Sequence, residues 1–359
     1  MNDALETPST LSRGHRAIAI WLLVVAGLVF AMVLVGGATR LTDSGLSITE
    51  WKPVTGVIPP LSSEAWEEEF EKYRQIPEYE LVNQGMSLSE FKSIYFWEWG
   101  HRLLGRLIGL AFFVPFIWFL FRRAVERERL PRLIVLFLLG GSQGVLGWYM
   151  VMSGLAIRVD VSQYRLAAHL TLAIIIYGAL LWTALDYLRG TWGFARPQKG
   201  VLAFSICAAL LLGTLLDQIF MGGIVAGLDA GLIYNTWPLT DGALIPQGLF
   251  SQSPWLANLF ESHLTAQFTH RGLAYLIVLG GVGLWLWARA LELSFRTRKA
   301  LNMVLAMILV QVALGIWTLL AVVPMSLALI HQAGAVLTLS GGIYLCHILW
   351  AQRQQARER

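Results

Sequence analysis

The chain carries eight apolar stretches of about the length that crosses a bilayer, near 18–36, 103–121, 133–152, 166–185, 202–222, 272–291, 300–321 and 328–350. A helix rises about 1.5 Å per residue, so ~20 residues span a hydrocarbon core of ~30 Å. Backbone facing lipid has no water to bond and must satisfy its own N–H and C=O groups, which predicts helices for all eight stretches. Of 359 residues, 56% are hydrophobic and 14% are charged, whereas an ordinary soluble domain carries about 25% charged residues. These numbers exclude a soluble core and predict an all-α polytopic membrane protein with eight transmembrane helices, whose first partner is the lipid bilayer.

Lys and Arg orient the chain. Segments 1–17, 122–132, 186–200, 289–299 and 351–359 hold 17 of the 27 basic residues and 7 of the 23 acidic ones. Basic loops stay cytoplasmic, so both termini are expected inside. The net charge of +4 reflects this bias, and no nucleic-acid partner is expected. No small-residue cleavage site follows the first apolar run, which reads as a retained helix. Cys207 and Cys346 both fall in apolar runs, where cysteine behaves as a small hydrophobe rather than a disulfide partner.

The two halves repeat each other. Gly36-Gly37, Asp43, Gly45-Leu46, Trp51, Gly56 and Pro60 recur as Gly222-Gly223, Asp229, Gly231-Leu232, Trp237, Gly242 and Pro246. His101-Arg102 recurs as His270-Arg271, Gln143 and Leu146-Gly147 as Gln311 and Leu314-Gly315, and His169 as His331. Four helices return the chain to its starting side, so the repeats are parallel. The expected division is a cytoplasmic N-terminus 1–17, a four-helix bundle 18–190, a cytoplasmic linker 191–201, a second bundle 202–350 and a tail 351–359. Long outer loops occupy 38–97 and 224–269. The acidic run around Glu64–Glu71 in the first reads as the solvated face of a helix.

On this topology His101, His169, His270 and His331 all lie near the outer ends of their helices, with His101 and His270 beginning theirs. Neutral imidazoles on facing helices are typical axial ligands of haem iron. Zinc is disfavoured because no cysteine or extra acid completes a tetrahedral set. His15 and His347 are unrepeated, near the cytoplasmic side, and are expected to be non-ligands. Glu98 shares a helix face with His101, whereas the second copy has Gln267 in its place. Acid in one half and amide in the other points to one reactive and one electron-storing or structural site. Arg102 and Arg271, with Arg40, Lys52, Arg106 and Arg165 on the same side, suit haem propionates. Asp217 lies inside the fifth run, where the first half has Ala31, and is assigned no role.

These strings resemble the haem A synthase family over nearly the whole chain. The residues that carry the resemblance are Gly36 to Ser47, Glu50 to Gly56, Trp97-Glu98-Trp99-Gly100-His101-Arg102, Tyr164 to His169, Val225 to Gly231, Asn235-Thr236-Trp237-Pro238-Leu239 and Gln267-Phe268-Thr269-His270-Arg271. The resemblance implies haem b, the cofactor, held by His270 and His331. It implies substrate haem O at His101 and His169, with Glu98 beside it as a reactive-site acid. The implied reaction oxidises a porphyrin methyl group to a formyl group, giving haem A for terminal oxidases. Implied partners are haem O synthase and an electron donor, in a bacterial inner membrane. Some members carry a cysteine pair in the first outer loop; residues 38–97 contain none, which places this chain with the proteobacterial and mitochondrial type. Two other classes compete. A dihaem b-type electron carrier would set haems at both membrane depths, and a haem transporter leaves the Glu98/Gln267 difference without a purpose.

Overall fold

A computed structural model describes residues 13–156, 158–189 and 200–357. The expected linker 191–201 and most of the expected N-terminal segment 1–17 lie outside the described residues. Within them the chain is helical, and eight helices are long and apolar enough to cross a membrane. They are α1 (Arg13–Leu41), α4 (Leu88–Phe121), α5 (Leu130–Val151), α6 (Gln163–Leu188), α7 (Val201–Gly227), α9 (His263–Trp287), α10 (Phe295–Leu320) and α11 (Met325–Arg357). Shorter α2 (Ser63–Arg74), α3 (Pro77–Leu81) and α8 (Ala257–Glu261) belong to the outer loops. The tail expected from 351 continues α11 as far as Arg357.

Matched helices keep matched neighbours. α1 packs on α4 and α6, as α7 packs on α9 and α11; α5 lies on α6, as α10 lies on α11. The four helices α1, α6, α7 and α11 form the centre, through residues such as Leu22, Val25, Leu180, Phe204, Leu211, Leu345 and Ile348. Lipid tails are as apolar as leucine, so close van der Waals contact has to hold such a centre together. The tightest approach is between α6 and α7. A Cβ added at Gly223 would stand 3.0 Å from the Ala167 Cα, and one at Gly227 2.7 Å from the Gln163 Cα. Only glycine lets the two backbones meet there.

Two helices begin well before their apolar runs, which corrects the expectation that His101 and His270 start theirs. His101 lies about three and a half turns inside α4, and His270 about two turns inside α9. The hydropathy run stops at Glu98 and Arg102, but their charges are met by partners, so the helix continues through them. Ser87 then starts α4 with a capping box: its Oγ accepts from the Glu90 N–H, while Glu90 Oε2 accepts from the Ser87 N–H at 2.8 Å.

The outer extension of α4 carries a small second core. Trp66, Phe70 and Tyr73 of α2 pack with Phe91 and Tyr95 of α4 and with Leu46 and Ile48. The other face of α2 is the expected acidic one, and it is an ion-pair network. Lys72 Nζ reaches Glu50 at 2.8 Å and Glu69 at 3.1 Å, and Lys52 reaches Glu50 at 2.6 Å. Hydrogen bonds from Lys52 and Lys72 hold the Glu50 carboxyl below its ordinary range. Glu78, by contrast, is buried under this cap, and burial pushes its carboxyl up to about 8.

Candidate functional site

Each of the four repeated histidines faces a glycine on a neighbouring helix. A Cβ added at Gly36 of α1 would meet the His101 ring at 3.2 Å, and one at Gly222 of α7 would meet His270 at 3.3 Å. At Gly147 of α5 it would meet His169 at 3.0 Å, and at Gly315 of α10 it would meet His331 at 2.8 Å. Any larger side chain would push the imidazole aside, so both halves carry the same pair of cradles. His101 has His169 within electrostatic reach, and His270 has His331.

The donor sets fit haem. The Nδ1 atoms of His169 and His270 are buried with no hydrogen-bond partner. A buried polar atom left unmatched is costly unless something completes it, and a neutral imidazole nitrogen completes an iron axial position. Among the described residues no group of three or more His, Cys, Asp or Glu side chains converges as a compact metal site; paired histidines suit an axial pair. The two histidines expected to be non-ligands each have a carboxylate beside the ring. His15 Nε2 stands 2.9 Å from Glu126, and His347 Nε2 2.9 Å from Asp186.

Glu98 is not the solvated acid its sequence position allows; it is 3% exposed. Its Oε1 accepts from Arg102 at 2.5 Å, and its Oε2 accepts from the Ile48 N–H at 2.6 Å and the Ser47 hydroxyl at 2.7 Å. Arg102 also donates to the carbonyls of Ile48 and Glu50, both at 2.8 Å. Acid and guanidinium together fasten residues 47–50 onto α4, one turn from His101.

The second half builds the same clamp with the opposite polarity. Gln267 Oε1 accepts from Arg271 at 2.7 Å, while its Nε2 donates to the carbonyls of Ala230 at 2.8 Å and Ile233 at 2.7 Å. Arg271 further donates to the carbonyls of Tyr234 at 2.8 Å and Thr236 at 2.9 Å. The first outer loop offers donors to position 98 and the second offers acceptors to position 267. That alone calls for a carboxylate in one place and an amide in the other.

Of the other cations expected near propionates, Arg106 donates to the carbonyls of Pro53 and Lys52, both at 2.8 Å. Arg165 stacks on Tyr149 with its guanidinium 3.6 Å from the ring centroid. Arg40 pairs with Asp43 at 2.8 Å in its own half and with Asp229 at 2.7 Å in the other. Asp217 is exposed on α7.

The residues missed in the sequence are the glutamines. Gln218 of α7 approaches His270, Gln143 of α5 approaches His169, and Gln311 of α10 approaches His331. The repeat singles out Gln143 and Gln311, but Gln218 has no glutamine counterpart in the first half.

A family model described as cytochrome oxidase assembly protein matches residues 19–341. A protein named Heme A synthase from Parvibaculum lavamentivorans is 56% identical over 335 residues, covering 93% of this chain and 95% of that protein. One of the same name from Nitrosomonas eutropha is 48% identical over 352 residues, 97% of this chain and 99% of that protein. Another, from Nitrosospira multiformis, is 51% identical over 340 residues, 94% of this chain and 95% of that protein. With so much of its length matched, the chain belongs to the cytochrome oxidase assembly protein family.

Proposed function

We propose that the chain is an oxidoreductase with the activity its relatives are named for: haem A synthase, oxidising a methyl group of haem O to the formyl group of haem A. The observation that carries the reading is the doubled cradle, in which glycine faces histidine twice in each half. In this reading residues 18–190 form the substrate half and residues 202–350 the cofactor half. His101 and His169 hold the substrate haem, and His270 and His331 hold haem b. A haem in the second pair supplies one-electron storage beside the reaction.

The chain's own contribution is positioning. Arg102 and Glu98 keep the 47–50 segment fixed over the N-terminal pair, and Arg271 and Gln267 do the same for 233–236. Preorganised donors and a fixed loop hold a substrate methyl in one place at no cost during the reaction. Glu98 is the acid of the reactive half. All of its described partners are donors, so it acts as an anchor here, and proton exchange with substrate requires that this clamp open. Haem O synthase and an electron donor are the proposed partners, in a bacterial inner membrane with both termini cytoplasmic.

The test is expression with a source of haem O, followed by pigment extraction. Haem A is expected. Bound haem b with haem O unchanged would replace the enzyme with an electron carrier. The orientation is checked by cysteines placed at Ser87 and Ala124 in intact cells: an impermeant thiol reagent should reach the first and not the second.

A further inference from the structure

The two halves differ at a position on α1 and α7 that faces the histidines. One turn before Gly222, on the same face of α7, stands Gln218, with its amide nitrogen 3.1 Å from a His270 ring nitrogen. One turn before Gly36, at the matching place on α1, stands Met32. Its methyl lies 3.5 Å from where a Cβ on Gly105 would stand, one turn from His101. Among the described residues His169, His270 and His331 each have a glutamine beside the ring. For His101 no side-chain hydrogen bond is found among them.

We propose that Gln218 is a positioning residue that fixes His270 as a permanent axial ligand, and that Met32 leaves His101 as the exchangeable one. This rests on the haem assignment given above. A ligating imidazole offers one nitrogen to iron and needs an acceptor for the N–H of the other, and that outer partner sets ring orientation and ligand basicity. His270 has one nitrogen beside Gln218 and the other buried without a partner. The Gln218 Oε1 is likewise buried without a partner. An amide's two ends differ only by a half-turn. With Oε1 turned to the ring, it accepts the imidazole N–H, and the remaining nitrogen keeps its lone pair for iron. The Oε1 then has a partner, and the His270 Nδ1 is the nitrogen left free to meet iron.

Methionine offers no comparable acceptor. The ring of His101 is met on one side by Gly36 and has no side-chain hydrogen bond among the described residues to fix its orientation. A cofactor that stays through many turnovers benefits from two held rings, whereas a substrate that must leave as product benefits from one loose ring. The second half has glutamine at both histidines, and the first half has it at His169 only.

The experiment uses the full-length protein in detergent micelles with haem b bound. Haem loss is timed by transfer to added apomyoglobin, and low-spin EPR spectra are recorded. Loss of an outer-shell partner costs about 10–100-fold in affinity. Gln218→Met should therefore speed loss of the haem b about 10–100-fold and shift its EPR g-values. Gln218→Glu keeps an acceptor and should restore slow loss. Met32→Gln should slow release of haem from the N-terminal pair by a similar factor. Wild-type loss rates and g-values in Gln218→Met would overturn the proposal; if that variant does not fold, unchanged release in Met32→Gln overturns it. His270→Ala separates the two levels. If it leaves all haem bound, the haem b assignment fails and this proposal with it. If it strips the haem while Gln218→Met changes nothing, only this proposal fails.

Discussion

Replacing Glu98 by Gln tests what the acid is for. The sequence suggests a mild change, since the other half has glutamine at the same place. The geometry predicts otherwise. The amide can keep its oxygen toward Arg102, but its nitrogen then faces the Ile48 N–H and the Ser47 hydroxyl, which now sit 2.6 and 2.7 Å from Oε2. The hydroxyl can rotate to accept; the N–H cannot. A buried donor left unmatched costs about 1–3 kcal/mol, and losing the charge opposite Arg102 brings the total to roughly 3–5 kcal/mol. At about 1.4 kcal/mol per factor of ten, opening of the 47–50 segment should become roughly a hundred- to a few-thousand-fold more frequent. Hydrogen exchange at the Ile48 amide, read by mass spectrometry on the protein in nanodiscs, measures this directly. The reciprocal Gln267→Glu sets a carboxylate against the carbonyls of Ala230 and Ile233, so it should loosen the second clamp as strongly. Exchanging both residues at once should rescue neither. Wild-type protection at Ile48 in Glu98→Gln, with haem A formation lost, would refute the clamp and return the acid to the chemistry.

Two further outcomes follow from the same geometry. Gly315→Val adds bulk where even a Cβ stands 2.8 Å from His331, so the low-spin bis-imidazole EPR signal of the C-terminal half should disappear while the far-UV helix signal stays; an intact signal would show that the cradle is not tight. Glu78 is held near 8 from an ordinary value of 4.5, so between those pH values the folded cap keeps a proton that the unfolded chain has lost. Its contribution to stability is complete below about 4.5 and is lost as pH rises through 8. Limited proteolysis of residues 63–86 should accelerate from pH 6 to pH 9 in the wild type and stay level in Glu78→Gln. Identical pH profiles would contradict this.

The large features were legible because they rest on composition and period. Eight apolar runs and a doubled histidine pattern are local signals, and the helices and cradles follow them. Helix starts were less legible: hydropathy stops at charged residues, while Glu98 and Arg102 are charges with partners supplied by distant loop segments. The purpose of the Glu98/Gln267 difference was hidden for a related reason. The partner of each side chain is a backbone group, and the direction in which a backbone N–H or C=O points leaves no mark in the residue names. Met32 carries no signal of its own in an apolar helix; its place gains meaning only from the glutamine at the matching position, which stands beside an imidazole. Asp217 could not be turned toward or away from the interior without the face of α7 on which it stands.

Arg40 sits between the halves with Asp43 on one side and Asp229 on the other, although the two acids are copies of one position and the place matching Arg40 is Ala226. The duplication therefore kept both anions and a single cation. If the halves were made as separate polypeptides, their ability to self-associate would differ. Two copies of the first would meet with an Arg40 from each to set against its own Asp43 and Asp160. Two copies of the second would bring a pair of Asp229 carboxylates together with no Arg40 between them. Homodimers of the C-terminal half are thus disfavoured at the outer face, and mixing the two pieces should give the one-to-one complex.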